Sequence, residues 1–137
     1  MPYEAKIRIH SKPTIAILGL GLMGGSLGLA LTRLGYTVIG WNRSPKSTEE
    51  AHRMGAISIP AADLKEAMAG AGIVFVATTV ETIPDIIRNC LPFAAPETIF
   101  TDMGSIKGAI LEKVLEFLPP THYFVAGHPM TGSEQHG

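Results

Sequence analysis

The chain has 137 residues, 46% hydrophobic and 17% charged, with a formal net charge of −1. That length suits about one domain and the composition suits a globular α/β core; a disordered chain and a polycationic nucleic-acid surface are excluded. Cys90 is the sole cysteine, which rules out an internal disulfide framework or a cysteine-based zinc site and fits a reducing cytoplasm.

Residues 1–13 carry Glu4, Lys6, Arg8 and Lys12 and no apolar stretch of signal-peptide type. They read as a short N-terminal tail, in which residues 5–9 could pair at a sheet edge, and residues 14–137 form the domain. No later apolar run is long enough to span a bilayer, so no membrane partner is expected.

The apolar run Thr14-Ile15-Ala16-Ile17-Leu18 predicts a strand. It leads into Gly19-Leu20-Gly21-Leu22-Met23-Gly24-Gly25-Ser26 and then a helix over 27–34, stopped by Gly35. Strand, glycine turn and helix in that order place a G-x-G-x-x-G motif where it can bind a dinucleotide. Gly19 permits the tight turn, Gly21 lets a pyrophosphate approach the backbone, and Gly24 lets helix and strand pack closely. Unpaired N–H groups at the helix start then face the phosphates, and Leu22 and Met23 within the glycine loop are counted with the cofactor-binding residues.

Further strands are predicted at 37–41, 56–59, 73–77, 98–101 and 123–126, with helices near 47–54, 63–68, 82–90 and 106–118. Strands alternating with helices imply a doubly wound parallel sheet of Rossmann type, with ligands at the carboxyl ends of the strands. The residues to watch therefore follow the strands: the glycine loop, Asn42-Arg43-Ser44, Thr78-Thr79, residues 102–107 and residues 127–134.

NAD-binding versions of this fold place an acidic residue after the second strand, on the adenosine ribose. Here Asn42 stands there, about eighteen residues past Gly24, followed by Arg43 and Ser44. An amide, a guanidinium and a hydroxyl can donate to a 2′-phosphate that a carboxylate would repel. NADP is expected in preference to NAD; alternatively Arg43 stacks on the adenine and either cofactor fits.

Thr101-Asp102-Met103-Gly104-Ser105-Ile106-Lys107-Gly108, followed by Gly127-His128-Pro129-Met130-Thr131-Gly132-Ser133-Glu134, resembles the prephenate/arogenate dehydrogenase family. With the glycine loop, the resemblance covers nearly all of the chain past the first dozen residues. It implies oxidative decarboxylation of prephenate to 4-hydroxyphenylpyruvate, or of arogenate to tyrosine, within tyrosine biosynthesis. His128 matches the family's catalytic histidine, which accepts a hydrogen bond from the ring C4 hydroxyl. An imidazole of unperturbed pKa about 6.5 suits that task. Ser105 matches a serine that orients the same hydroxyl, and is equally placed to cap the following helix. Glu134 matches a carboxylate at the edge of the substrate pocket. Thr78 and Thr79 fall where the nicotinamide ribose should lie, although the family commonly has proline at the place of Thr79. No metal is required.

Asp102 reads as a structural hydrogen-bonding residue, Cys90 as buried filler, and His10, His52, His122 and His136 as surface residues. Family members continue beyond the motif ending at Glu134 with more of the nucleotide domain, so that the domain at 14–137 is expected to be incomplete at its C-terminal end, and then with a mostly helical domain that supplies the dimer interface and an arginine for a substrate carboxylate. The 137-residue chain is accordingly expected to be a fragment that lacks this domain and is inactive alone, the full-length protein being a homodimer. Two other functions stay open: a dehydrogenase of the β-hydroxyacid type, and a dinucleotide-binding sensor without chemistry.

Overall fold

The strand β1 (Thr14–Leu18) lies inside a six-stranded sheet whose order is β3-β2-β1-β4-β5-β6. The computed structural model describes residues 12–104 and 106–127. Along the chain, β1 is followed by α1 (Leu22–Arg33), β2 (Val38–Trp41), α2 (Pro45–Arg53) and β3 (Ile59–Pro60). Then come α3 (Leu64–Ala67), β4 (Ala71–Val76), α4 (Ile83–Cys90), β5 (Ile99–Asp102), α5 (Gly108–Phe117) and β6 (Tyr123–Val125). Every strand pair among the described residues is parallel. The doubly wound α/β fold expected from the alternation of elements is therefore the one observed.

Residue alternation in β1 explains why its sequence is apolar throughout. Ile15 and Ile17 point to one face and pack with Val38, Ala51 and Ile57, beneath α1 and α2. Ala16 and Leu18 point to the other and pack with Val74, Phe100 and the α4 residues Ile83 and Ile87. A strand covered on both faces cannot alternate polar with apolar residues. The α4 helix supplies Ile83, Ile86, Ile87 and Cys90 at helical spacing to one such face, with Pro84 in its first turn where no N–H is needed.

Several boundaries differ from the sequence reading. The first helix starts at Leu22, not near 27, so Gly24, Gly25 and Gly28 are helical. Those glycines weaken helix propensity, but Gly24 and Gly28 are buried where a Cβ would strike the carbonyl oxygens of Gly19 and Ala56. Close packing thus overrides propensity. The third strand is Ile59–Pro60 instead of 56–59, because Ala56 and Ile57 turn into the core beneath α1 and α2. The last helix begins at Gly108 with Lys107 in the cap position. The proposed tail strand at 5–9 lies outside the described residues.

Candidate functional site

Parallel pairing brings the carboxyl ends of the strands into line: Leu18 sits opposite Trp41 and Val76, Val76 opposite Asp102, and Thr101 opposite Val125. The loops that follow therefore open on one end of the sheet. Gly19 turns the chain there with φ +102°, a conformation that favours glycine. A Cβ on Gly19 would come within 2.7 Å of the Ala77 carbonyl group. The Gly19 N–H donates to the Trp41 carbonyl at 2.8 Å, and the Ala77 N–H donates to the Leu18 carbonyl at 2.7 Å. The glycine loop is thus held from both sides by the ends of β2 and β4.

Gly21, Leu22 and Met23 are exposed. Gly21 caps α1 with no side-chain hydrogen bond, and the first turn of that helix carries no acidic residue. Its leading N–H groups have no intrahelical partner and carry the positive end of the helix dipole. Nothing lies within 4 Å of the place where a Gly21 Cβ would be. An open approach over a bare backbone, beside an uncapped helix start, fits the pyrophosphate of a dinucleotide.

A cleft of about 210 Å³ adjoins this loop, lined by Gly19, Gly21, Trp41, Asn42, Arg43 and the threonine group Thr78, Thr79 and Thr82. Asn42 accepts the Leu20 N–H on Oδ1 at 2.7 Å, while its own N–H donates to Thr48 Oγ1 at 3.1 Å. Arg43 and Ser44 are exposed, and Arg43 has no ion-pair partner among the described residues. Thr82 was read from sequence only as a helix start. Its hydroxyl donates to Thr78 Oγ1 at 2.9 Å and contacts the Thr79 carbonyl at 2.7 Å, so it organises the cleft wall. A larger recess of about 480 Å³ between α1 and α2 begins at the glycine loop, at Leu20, Gly21 and Leu22, and runs along helix residues such as Leu29, Ala51 and Met54.

Asp102 ends β5 and is 1% exposed. Its Oδ2 accepts the N–H groups of Gly104 at 2.6 Å and Ile106 at 3.1 Å, and its Oδ1 accepts that of Gly127 at 2.7 Å. Burial pushes this carboxyl up, but backbone N–H donors, those of Gly127, Ile106 and Gly104 foremost, together outweigh it and hold it below the ordinary carboxylate range. The structural role expected for Asp102 is the one observed. Cys90 is fully buried, and burial pushes its thiol up to about 12, as befits an inert core residue. His52 is exposed as expected; His122 is half-buried instead, its ring hydrogen-bonding Thr121 Oγ1 and the Ala94 carbonyl.

Ser105, His128 and Glu134 lie outside the described residues. The helix boundary does move the cap of α5 from Ser105 to Lys107, which makes no side-chain cap bond. Among the described residues no helix is long and apolar enough to cross a membrane.

Comparison with known proteins agrees with this geometry. The family described as prephenate dehydrogenase, nucleotide-binding domain, matches residues 27–137. Prephenate dehydrogenase of Bacillus subtilis is 33% identical over 129 residues, covering 92% of this chain and 35% of that protein. Two solved structures are similar. Prephenate dehydrogenase of Aquifex aeolicus, in complex with hydroxyphenyl propionate and NAD+, has a TM-score of 0.77 and 27% identity over 88% of this chain and 42% of that one. Synechocystis arogenate dehydrogenase has a TM-score of 0.76 and 32% identity over 85% of this chain and 40% of that one. The chain thus spans roughly a third to two-fifths of the length of these relatives. The chain belongs to the prephenate dehydrogenase family, matching its nucleotide-binding domain.

Proposed function

We propose that the full-length protein is a prephenate or arogenate dehydrogenase that uses NADP in preference to NAD. The observation that carries this reading is a convergence at one end of the sheet. The glycine-loop cleft lies there, and there Asp102 joins the two loops leading into the family motifs.

In this reading the described residues hold the cofactor. Gly21, Leu22, Met23 and Gly24 face the pyrophosphate, and Thr78 and Thr79 take the nicotinamide ribose. Asn42, Arg43 and Ser44 meet the adenosine end, where Arg43 gives charge-assisted bonds to a 2′-phosphate. The bound nicotinamide supplies the acceptor for the hydride leaving ring C4. His128 accepts the C4 hydroxyl's hydrogen bond, takes up its proton as hydride departs, and returns it to the phenolate once the ring carboxylate has left as carbon dioxide. Ser105 holds that hydroxyl toward His128, and Glu134 borders the pocket. A homodimer formed through a further helical domain completes the proposal, with residues 1–137 inactive alone and the enzyme working in the cytoplasm.

The test is an assay of the full-length protein with prephenate and with arogenate, each with NAD and NADP. Reduction of neither cofactor with either substrate overturns the reading and leaves the sensor and the dehydrogenase of β-hydroxyacid type. His128→Asn should abolish turnover with cofactor affinity intact; unchanged kcat would instead favour chemistry of the β-hydroxyacid type.

A further inference from the structure

We infer that Asp102 is a positioning residue: its buried carboxylate clamps the loop after β5 to the loop after β6, the two loops that carry Ser105 and His128 in sequence. The inference rests on the function proposed above for those two residues; the clamp itself stands on geometry.

Three features carry it. First, one carboxylate serves both loops, with Oδ2 on Gly104 and Ile106 and Oδ1 on Gly127. Gly104 and Ile106 flank Ser105 in sequence, and Gly127 immediately precedes His128. Consecutive Cα atoms are about 3.8 Å apart, so fixing these amides limits where the neighbouring residues can go. Second, the two loops meet backbone to backbone. A Cβ on Gly127 would strike the Asp102 carbonyl oxygen and come within 3.3 Å of the Gly104 nitrogen. Glycine at 127 thus allows an approach that any side chain would prevent. Third, Asp102 has no ion-pair partner among the described residues; its hydrogen-bond partners there are backbone N–H groups. Its charge is spent on holding main chain, not on an ion pair.

The carboxylate geometry is also selective. An amide at this position keeps one acceptor oxygen but puts an NH2 where the second acceptor stood, facing a backbone donor. Asp102→Asn therefore frees at least one loop while keeping the size of the side chain.

Amide hydrogen exchange and kinetics on the full-length protein test the clamp. In Asp102→Asn, exchange at residues 103–107 and at residue 127 should rise together by about tenfold, with residues 20–26 unchanged. Where the wild-type protein turns over prephenate or arogenate, kcat should fall by about tenfold or more while KM and the cofactor Kd stay within about threefold, since misplacement acts on the reacting geometry. Gly127→Ala, which separates the loops without altering charge, should give the same pattern, and it carries the test if Asp102→Asn does not fold. Exchange rising across the whole sheet, unchanged exchange in both loops, or kcat unaffected by loop opening would overturn the proposal. A wild-type protein inactive on both substrates defeats the proposed function instead, while the exchange data still decide whether the clamp exists.

Discussion

The Leu20 N–H donates to Asn42 Oδ1 at 2.7 Å, joining the glycine loop to the end of β2 across 22 positions of sequence. The bond fixes the orientation of the Asn42 amide, because its oxygen is committed to the loop. An aspartate could make the same bond and would add a negative charge beside Arg43.

Asn42→Asp is therefore expected to fold normally and to change cofactor choice. A carboxylate accepts from ribose hydroxyls and repels a 2′-phosphate, so the ratio of NADP to NAD affinity should fall by about tenfold, or about 1.4 kcal/mol. Titration of the full-length protein with both cofactors measures this. A ratio that does not fall would remove Asn42 from the basis of selectivity. Asn42→Leu should instead destabilise the fold by about 1–3 kcal/mol, since it strips the Leu20 N–H of its acceptor.

Gly21→Ala and Gly24→Ala should separate binding from stability. A methyl group at Gly21 meets no protein atom within 4 Å but enters the approach to the helix start. Thermal unfolding should stay within about 1 kcal/mol of wild type, while cofactor affinity drops by about tenfold or more. At Gly24 the added Cβ strikes the Gly19 carbonyl oxygen. That overpacking should cost about 1–3 kcal/mol of stability. Equal losses of stability in the two variants would contradict this assignment of roles.

How much of this was legible beforehand depended on the range of the forces involved. The β1 strand and the glycine turn follow from local pattern, and so does the doubly wound sheet. The start of α1 does not, because Gly24, Gly25 and Gly28 look unhelical until the carbonyls of Gly19 and Ala56 press against that helix. Thr82 escaped notice because its partners, Thr78 and Thr79, sit in a turn whose shape no periodicity reports. Asp102 was read as structural, yet nothing local indicates that its carboxylate reaches 25 residues onward to Gly127. Candidate residues of the cofactor cleft could be named one by one, whereas the bonds joining them are products of the folded sheet.

Asp102 also makes stability depend on pH in a defined direction. Its carboxyl is held below the ordinary value in the folded state. The stabilisation from its ionised form is therefore present above the unfolded value of about 3.9 and lost as pH falls through the folded value. Wild type should exceed Asp102→Asn in stability at pH 7, and the gap should close on acidification below about pH 4. Denaturant unfolding of both proteins across that range checks the sign; a gap that widens in acid would contradict it.

Cys90 should be inert in the native protein. It is fully buried with its thiol pushed up to about 12, so a thiol-specific reagent at pH 8 should react only as the chain unfolds. Cys90→Ser places a hydroxyl in an apolar site and should cost about 1–3 kcal/mol. Rapid labelling under native conditions would refute the packing described for α4.

The cleft beside the glycine loop is assembled from positions 19, 42, 78 and 82, which no single peptide of the chain brings together. Ligand affinity is consequently a property of the finished sheet, and occupancy must stabilise every strand that contributes a wall. At a hundred times its dissociation constant, a bound dinucleotide would raise the unfolding free energy by about 2.7 kcal/mol. A cofactor-dependent melting shift therefore doubles as a folding assay: a variant that disorders β2 or β4 anywhere along its length should forfeit the shift, even when the substituted residue lies far from the ligand.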